Sequence, residues 1–227
     1  MQITYRFVFP DGQEESFAMN FAPETMAYRP DASAPPPEWA RLGNGQCRNC
    51  PLKEADSPYC PVARNLAPVL SRFVDRLSIE EVEIVVATEA REYRKRVSLQ
   101  KGIAAIFGLI MATSGCPVLD KLRPMAFTHL PLADMTETRY RAVSMYLFAQ
   151  YFRERKGLTA DWKMTGLEKI YADIGTLNRD FVGRLRAVDM QDANYNAVAG
   201  LDCFCLSDDD VMARSLDKLE RIFQSYL

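Results

Sequence analysis

The chain has 227 residues, 48% of them apolar and 26% charged, with a formal net charge of −2. That balance fits a globular protein with a sizeable core and excludes disorder as its main state. A pI of about 5.6 argues against an overall basic footprint for nucleic acid. No stretch reaches the ~18 consecutive apolar residues of a membrane span; the longest, 103–112, is interrupted by Gly108.

The opening MQITYRFVF lacks a basic segment followed by an apolar one, so export is not expected. A cytoplasmic, reducing setting follows. There the six cysteines are read as metal ligands, reactive thiols or core residues rather than disulfides.

Residues 3–9 (ITYRFVF) are β-branched and aromatic, Pro10-Asp11-Gly12 is turn chemistry, and 14–21 alternates weakly. Together they predict a hairpin. Five prolines in 23–39 predict an extended connector. Residues 62–77 carry Val62, Leu66, Val69, Leu70, Phe73 and Leu77 at helical spacing. Residues 82–88 and 91–98 read as a second hairpin with Tyr93, Lys95 and Val97 on one face; a continuous helix over 80–98 is the competing reading.

After Ser98 the pattern is helical. A run over 99–114 stops at Gly115. Asp134 with Glu137 predicts a capping box for a helix at 135–156, and Thr165 with Glu168 another. The following helix sets Leu167, Ile170, Ile174, Leu177, Phe181 and Val188 on one stripe. A last helix, capped by Ser207 and Asp210, carries Leu216, Leu219, Phe223 and Tyr226. The fold expected is α+β. A small amino-terminal antiparallel sheet of two hairpins with a cysteine-rich loop (1–98) packs on a carboxy-terminal helical bundle (99–227).

The most informative pattern is GQCRNCPLKEADSPYCP, followed much later by SGCP. Cys47 and Cys50 can chelate one ion through a tight turn. Cys50, Cys60 and Cys116 each precede proline. Proline favours the first helical position and keeps the residue before it out of the helix. Each pair therefore predicts a cysteine at a helix mouth, where the macrodipole lowers the thiol pKa. Four such thiolates suit zinc or a 4Fe–4S cluster. Burial as small apolar side chains is the competing reading.

His129, the only histidine, could replace Cys116 in a Cys3His zinc site or serve it as a base. Cys203 and Cys205 lie two apart, point to opposite sides of a helix and cannot share an ion. The run Arg91, Arg94, Lys95, Arg96 reads as a solvated sheet face, and Asp208, Asp209 and Asp210 as helix-start acids. There is no G-x4-GK[ST], no G-x-G-x-x-G and no HExxH.

CRNCPL resembles the first cysteine pair of iron–sulfur uracil-DNA glycosylases, over six residues only and with no DNA-repair activity implied. More broadly, CRNCPL, YCPVA, MATSGCP, RPMAFTHLP and DANYNAVAGLD resemble an uncharacterised bacterial family, a domain of unknown function. That resemblance implies a bacterial cytosolic origin and supplies no activity. With four ligands filling the coordination sphere, the expectation is a non-enzymatic metal-binding interaction or regulatory protein. Its partner would be another protein, with no nucleic acid and no membrane. An iron–sulfur redox sensor or electron carrier, and a thiol enzyme using Cys116 and His129, are the alternatives.

Overall fold

A computed structural model describes residues 1–30, 35–73, 75–187, 196–198 and 219–227. The architecture is α+β, as expected. β1 (Gln2–Val8) and β2 (Glu14–Phe21) form the first hairpin, turning through Gly12 at φ +83°. The proline-rich connector contributes a two-residue strand that the sequence did not suggest, β3 (Tyr28–Arg29). β4 (Glu81–Thr88) and β5 (Glu92–Ser98) form the second hairpin, not a helix. The five strands run β3-β2-β1-β4-β5, all antiparallel.

Strand alternation sends one face inward. Ile3, Tyr5 and Phe7 of β1 are fully buried, beside Val82, Ile84 and Val86 of β4. On the outer face Arg94 and Arg96 meet Glu83 across the strand pair at 3.2 and 4.0 Å. Lys95 shares the inner side with Tyr93 and Val97, which pair with Ile84, Val86 and Val82.

The inner face is covered by α2 (Leu99–Thr113), against which α1 (Pro61–Leu70) packs. Gly102 lets α2 lie close to the strands: a Cβ there would stand 2.6 Å from Ile84 Cδ1 and 2.9 Å from Phe7 Cε1. The helix predicted over 62–77 ends earlier. Ser71 caps α1, a 3₁₀ turn drives Phe73 into the core, and Leu77 is 68% exposed. Pro68 sits in the last turn of α1 and removes a donor there.

Three further helices follow: α3 (Pro124–Phe127), α4 (Met135–Arg155) and α5 (Thr165–Arg186). The capping box of α4 forms as predicted, with Glu137 N on Asp134 Oδ1 and Asp134 N on Glu137 Oε2, both 2.8 Å. The box predicted for α5 does not. Met164 takes φ +62°, and Asp161 Oδ2 accepts from Gly166 N at 2.7 Å and from Thr165 Oγ1 at 3.2 Å. A carboxylate reaching back is the stronger acceptor for helix-start donors, and it displaces the hydroxyl cap.

The α5 stripe buries Leu167, Ile174, Leu177 and Phe181. Val188, Cys203, Cys205, Ser207, Asp208, Asp209, Asp210 and Leu216 lie outside the described residues. Phe223 and Tyr226, expected in a packed seam, are exposed on a terminal 3₁₀ turn. Among the described residues no helix is long and apolar enough to cross a membrane.

Tyr5, at the centre of the sheet, reaches His129 on the loop after α3: its Oη lies 2.6 Å from Nε2. Burial, assisted by the Arg141 guanidinium, holds the imidazole down to about 3. The folded state therefore resists a proton that the unfolded chain accepts below ~6.5. We expect unfolding free energy to fall as pH drops from about 6.5 toward 3. In His129→Gln that part of the slope should vanish in urea titrations across this range; an unchanged slope assigns it elsewhere. Gly102→Ala should cost about 2 kcal/mol in the same assay by forcing α2 off the sheet.

Candidate metal centre

The cysteine loop is closed by its own backbone. Leu42 N donates to Pro58 O at 3.0 Å, Cys60 N to Ala40 O at 2.8 Å, and Arg41 bridges Tyr59. Within it, Cys50 N donates to Cys47 O at 3.0 Å, the tight turn that C-x2-C chelation needs. Gln46 Nε2 bonds Leu52 O at 2.9 Å and holds the far side.

Several contacts fasten the loop to α5, among them a weak bond from Cys47 Sγ to Leu177 O at 4.0 Å. Arg48 gives Asp180 its backbone N–H at 2.8 Å and its Nε at 3.1 Å. These donors hold the Asp180 carboxyl below its ordinary value, the backbone N–H contributing most. Asn49 Nδ2 donates to Asp173 O at 2.8 Å. Gly45, at φ +74°, passes so close to α5 that a Cβ would lie 3.3 Å from Arg184 Cβ.

The Cys-Pro expectation is met in part. Cys60 is the N-cap of α1, with Pro61 at its first position. Cys116 follows Gly115 (φ +88°) and opens a turn that runs into 3₁₀ residues Leu119–Leu122. The N–H groups of Val118 and Leu119 point at its sulfur, and Asp120 N bonds its carbonyl at 2.9 Å. Cys50-Pro51 starts no helix; extended chain and a turn follow it. The 3.3 Å bond from Asn65 Nδ2 to Ser114 O ties α1 to the turn bearing Cys116.

These elements bring all four cysteines to one small cavity of about 10 Å³, walled by Leu42, Val62, Val118, Leu177, Phe181 and Arg184. Cys47, Cys60 and Cys116 are buried and Cys50 is half-buried; none is in a disulfide. Among the described residues no group of three or more His, Cys, Asp or Glu side chains is arranged to hold a metal ion.

The lowering of thiol pKa expected at the cysteines before proline is reversed at Cys116, and Cys47, where none was expected, is raised as well. Burial, reinforced by Cys60 and Cys116, pushes Cys47 up to about 12. Burial pushes Cys116 up to about 11, outweighing the two backbone N–H groups. With apolar walls, helix-start dipoles cannot offset desolvation.

Arg184, 3% exposed, was not anticipated as part of this site. Its Nη1 donates to Trp39 O at 3.1 Å and to Arg41 O at 2.8 Å, and its Nη2 to Leu42 O at 3.1 Å. No carboxylate pairs with it among the described residues. The sequence signal was there: Arg184 stands three residues after Phe181, continuing the apolar stripe.

His129 does not belong to this centre. It bonds Tyr5 and lines a different cavity, which removes both the Cys3His set and the Cys116–His129 pair.

No curated protein and no solved structure matches the chain. A family model does match, described as a domain of unknown function, DUF6901, over residues 3–224. Apart from Gln2, the sheet, the cysteine loop, Cys116 and α5 fall within that span, and the chain belongs to the DUF6901 family.

Proposed function

We propose that this chain is a non-enzymatic metal-binding regulatory or interaction protein whose Cys47, Cys50, Cys60 and Cys116 hold a 4Fe–4S cluster. The observation that carries this reading is the convergence of four thiols, from three separate stretches of chain, on one small void. Cysteine followed by proline, as at Cys50, Cys60 and Cys116, recurs in ferredoxin-type ligation, which favours a cluster over a single ion. The void of about 10 Å³ is smaller than such a cluster, so loading would have to spread the sulfurs that line it.

Arg184 supports the same reading. Four thiolates outweigh the charge of a zinc ion or a cubane core, so a loaded site is net negative. A buried guanidinium without a carboxylate beside it supplies the opposite charge.

A bound cluster would supply one-electron redox chemistry. The protein's own residues would set its consequences. Three ligands lie on the loop and the fourth follows α2, so loading stitches the loop to the helices and its loss loosens them. Such a centre needs a reducing compartment such as the cytoplasm. The partner proposed is another protein, supported by the exposed aromatic face of α4, where Phe148, Tyr151 and Phe152 cluster.

Protein purified without oxygen should be brown and carry about four iron and four sulfide per chain. Colourless protein with one zinc would replace the cluster by a single ion, and metal-free protein removes the proposal. Arg184→Met should leave three carbonyls unpaired, cost about 3 kcal/mol of stability, and shift the midpoint potential to more negative values. A potential unmoved in a folded, loaded variant would remove the charge-balancing role.

A further inference from the structure

A second cavity, of about 650 Å³, lies across the Cys116–Leu122 segment from the thiols. Its size is that of a small-molecule site. One wall is a trough on α2, where Ala104, Gly108 and Ala112 recur every four residues and Ala105 lies beside them. Leu122 and Ile174 face it from the 3₁₀ turn and α5, so the body of the cavity is apolar.

Its charges are one-sided. Lys95 and Lys101, both exposed, stand at the mouth, and half-buried Arg141 stands inside. The single lining carboxylate among the described residues, Asp134, is occupied as the cap of α4. Arg141 Nη2 donates to Met125 O at 2.7 Å and Thr128 O at 3.2 Å, while Nε has no partner among the described residues. No salt bridge reaches this guanidinium among them either. In a chain of net charge −2, a desolvated cation above an apolar trough is a specific feature. Its complement is an anion on an apolar body.

We propose that this cavity binds a free amphipathic monocarboxylate such as a fatty acid, its carboxylate on Arg141 and its chain along the α2 trough. The inference is independent of what the cysteines hold, because no cysteine lines this cavity.

Isothermal titration of the full-length protein, as purified, with dodecanoate, dodecanol and dodecylamine below their micellar concentrations tests it. Dodecanoate should bind at least tenfold more tightly than dodecanol, with dodecylamine weakest. Arg141→Gln should remove that tenfold preference. Ala105→Phe, which fills the trough without touching the Arg141 bonds, should abolish binding of both while the melting temperature stays near the parent value. Absence of dodecanoate binding, equal affinity for all three chains, or parent-like binding by Ala105→Phe would overturn the proposal.

Discussion

Arg184 spends its hydrogen bonds on the backbone carbonyls of Trp39, Arg41 and Leu42, and this contact fixes where the cysteine loop can lie. A buried guanidinium is tolerated only when its donors are satisfied and its charge is met. The carbonyls meet the first demand for Nη1 and Nη2, while Nε has no partner among the described residues. Under the function proposed above, a loaded four-thiolate site on the wall it shares with Arg184 would meet the second. The pairing of Arg48 with Asp180 and the close approach of Gly45 reinforce a register that Arg184 sets. The loop is thus docked on α5 by ordinary protein bonds before any metal is considered.

Docking explains how sulfurs from three separate stretches reach one point. α1 begins at Cys60, and the bond from Asn65 to Ser114 draws its flank to the turn holding Cys116. Cys47 and Cys50 arrive on the loop that α5 holds. Two cavities then share their dividing structure. Leu177, Phe181 and Arg184 of α5 face the thiols, while Tyr171, Ile174 and Asn178 face the larger cavity. Val118 lines one and Leu119 the other. A shift of α5 or of this turn therefore changes both, which is the physical basis on which occupancy of one site could bias the other.

The β-branched and aromatic residues of 3–9 and the turn chemistry at Pro10-Asp11-Gly12 made the first hairpin legible; that Ile3, Tyr5 and Phe7 form its inward face emerged only from the structure. Local signals were equally sufficient for Asp134 with Glu137 and for Gly115. They failed where a distant group supplied the bond: Asp161 caps α5 from a preceding turn, and Thr165 serves only as a donor to it. The convergence of the four cysteines was legible, but not their electrostatics. Helix-mouth position suggested a lowered thiol pKa at Cys116, whereas burial raises it there, and raises Cys47, which sits at no helix mouth. His129 drew attention as a lone imidazole near a cysteine in sequence; only tertiary structure assigns it to Tyr5. Arg184 and the α2 trough depend on elements that meet across the fold, so neither appears as a motif.

The central claim is that the four thiolates surround several metal atoms, not one. X-ray absorption at the iron edge of anaerobically purified protein measures this directly. The account predicts a sulfur shell near ~2.3 Å accompanied by a distinct iron–iron shell. A sulfur shell at the zinc edge with no metal–metal shell, or the absence of sulfur-bound metal altogether, would contradict it.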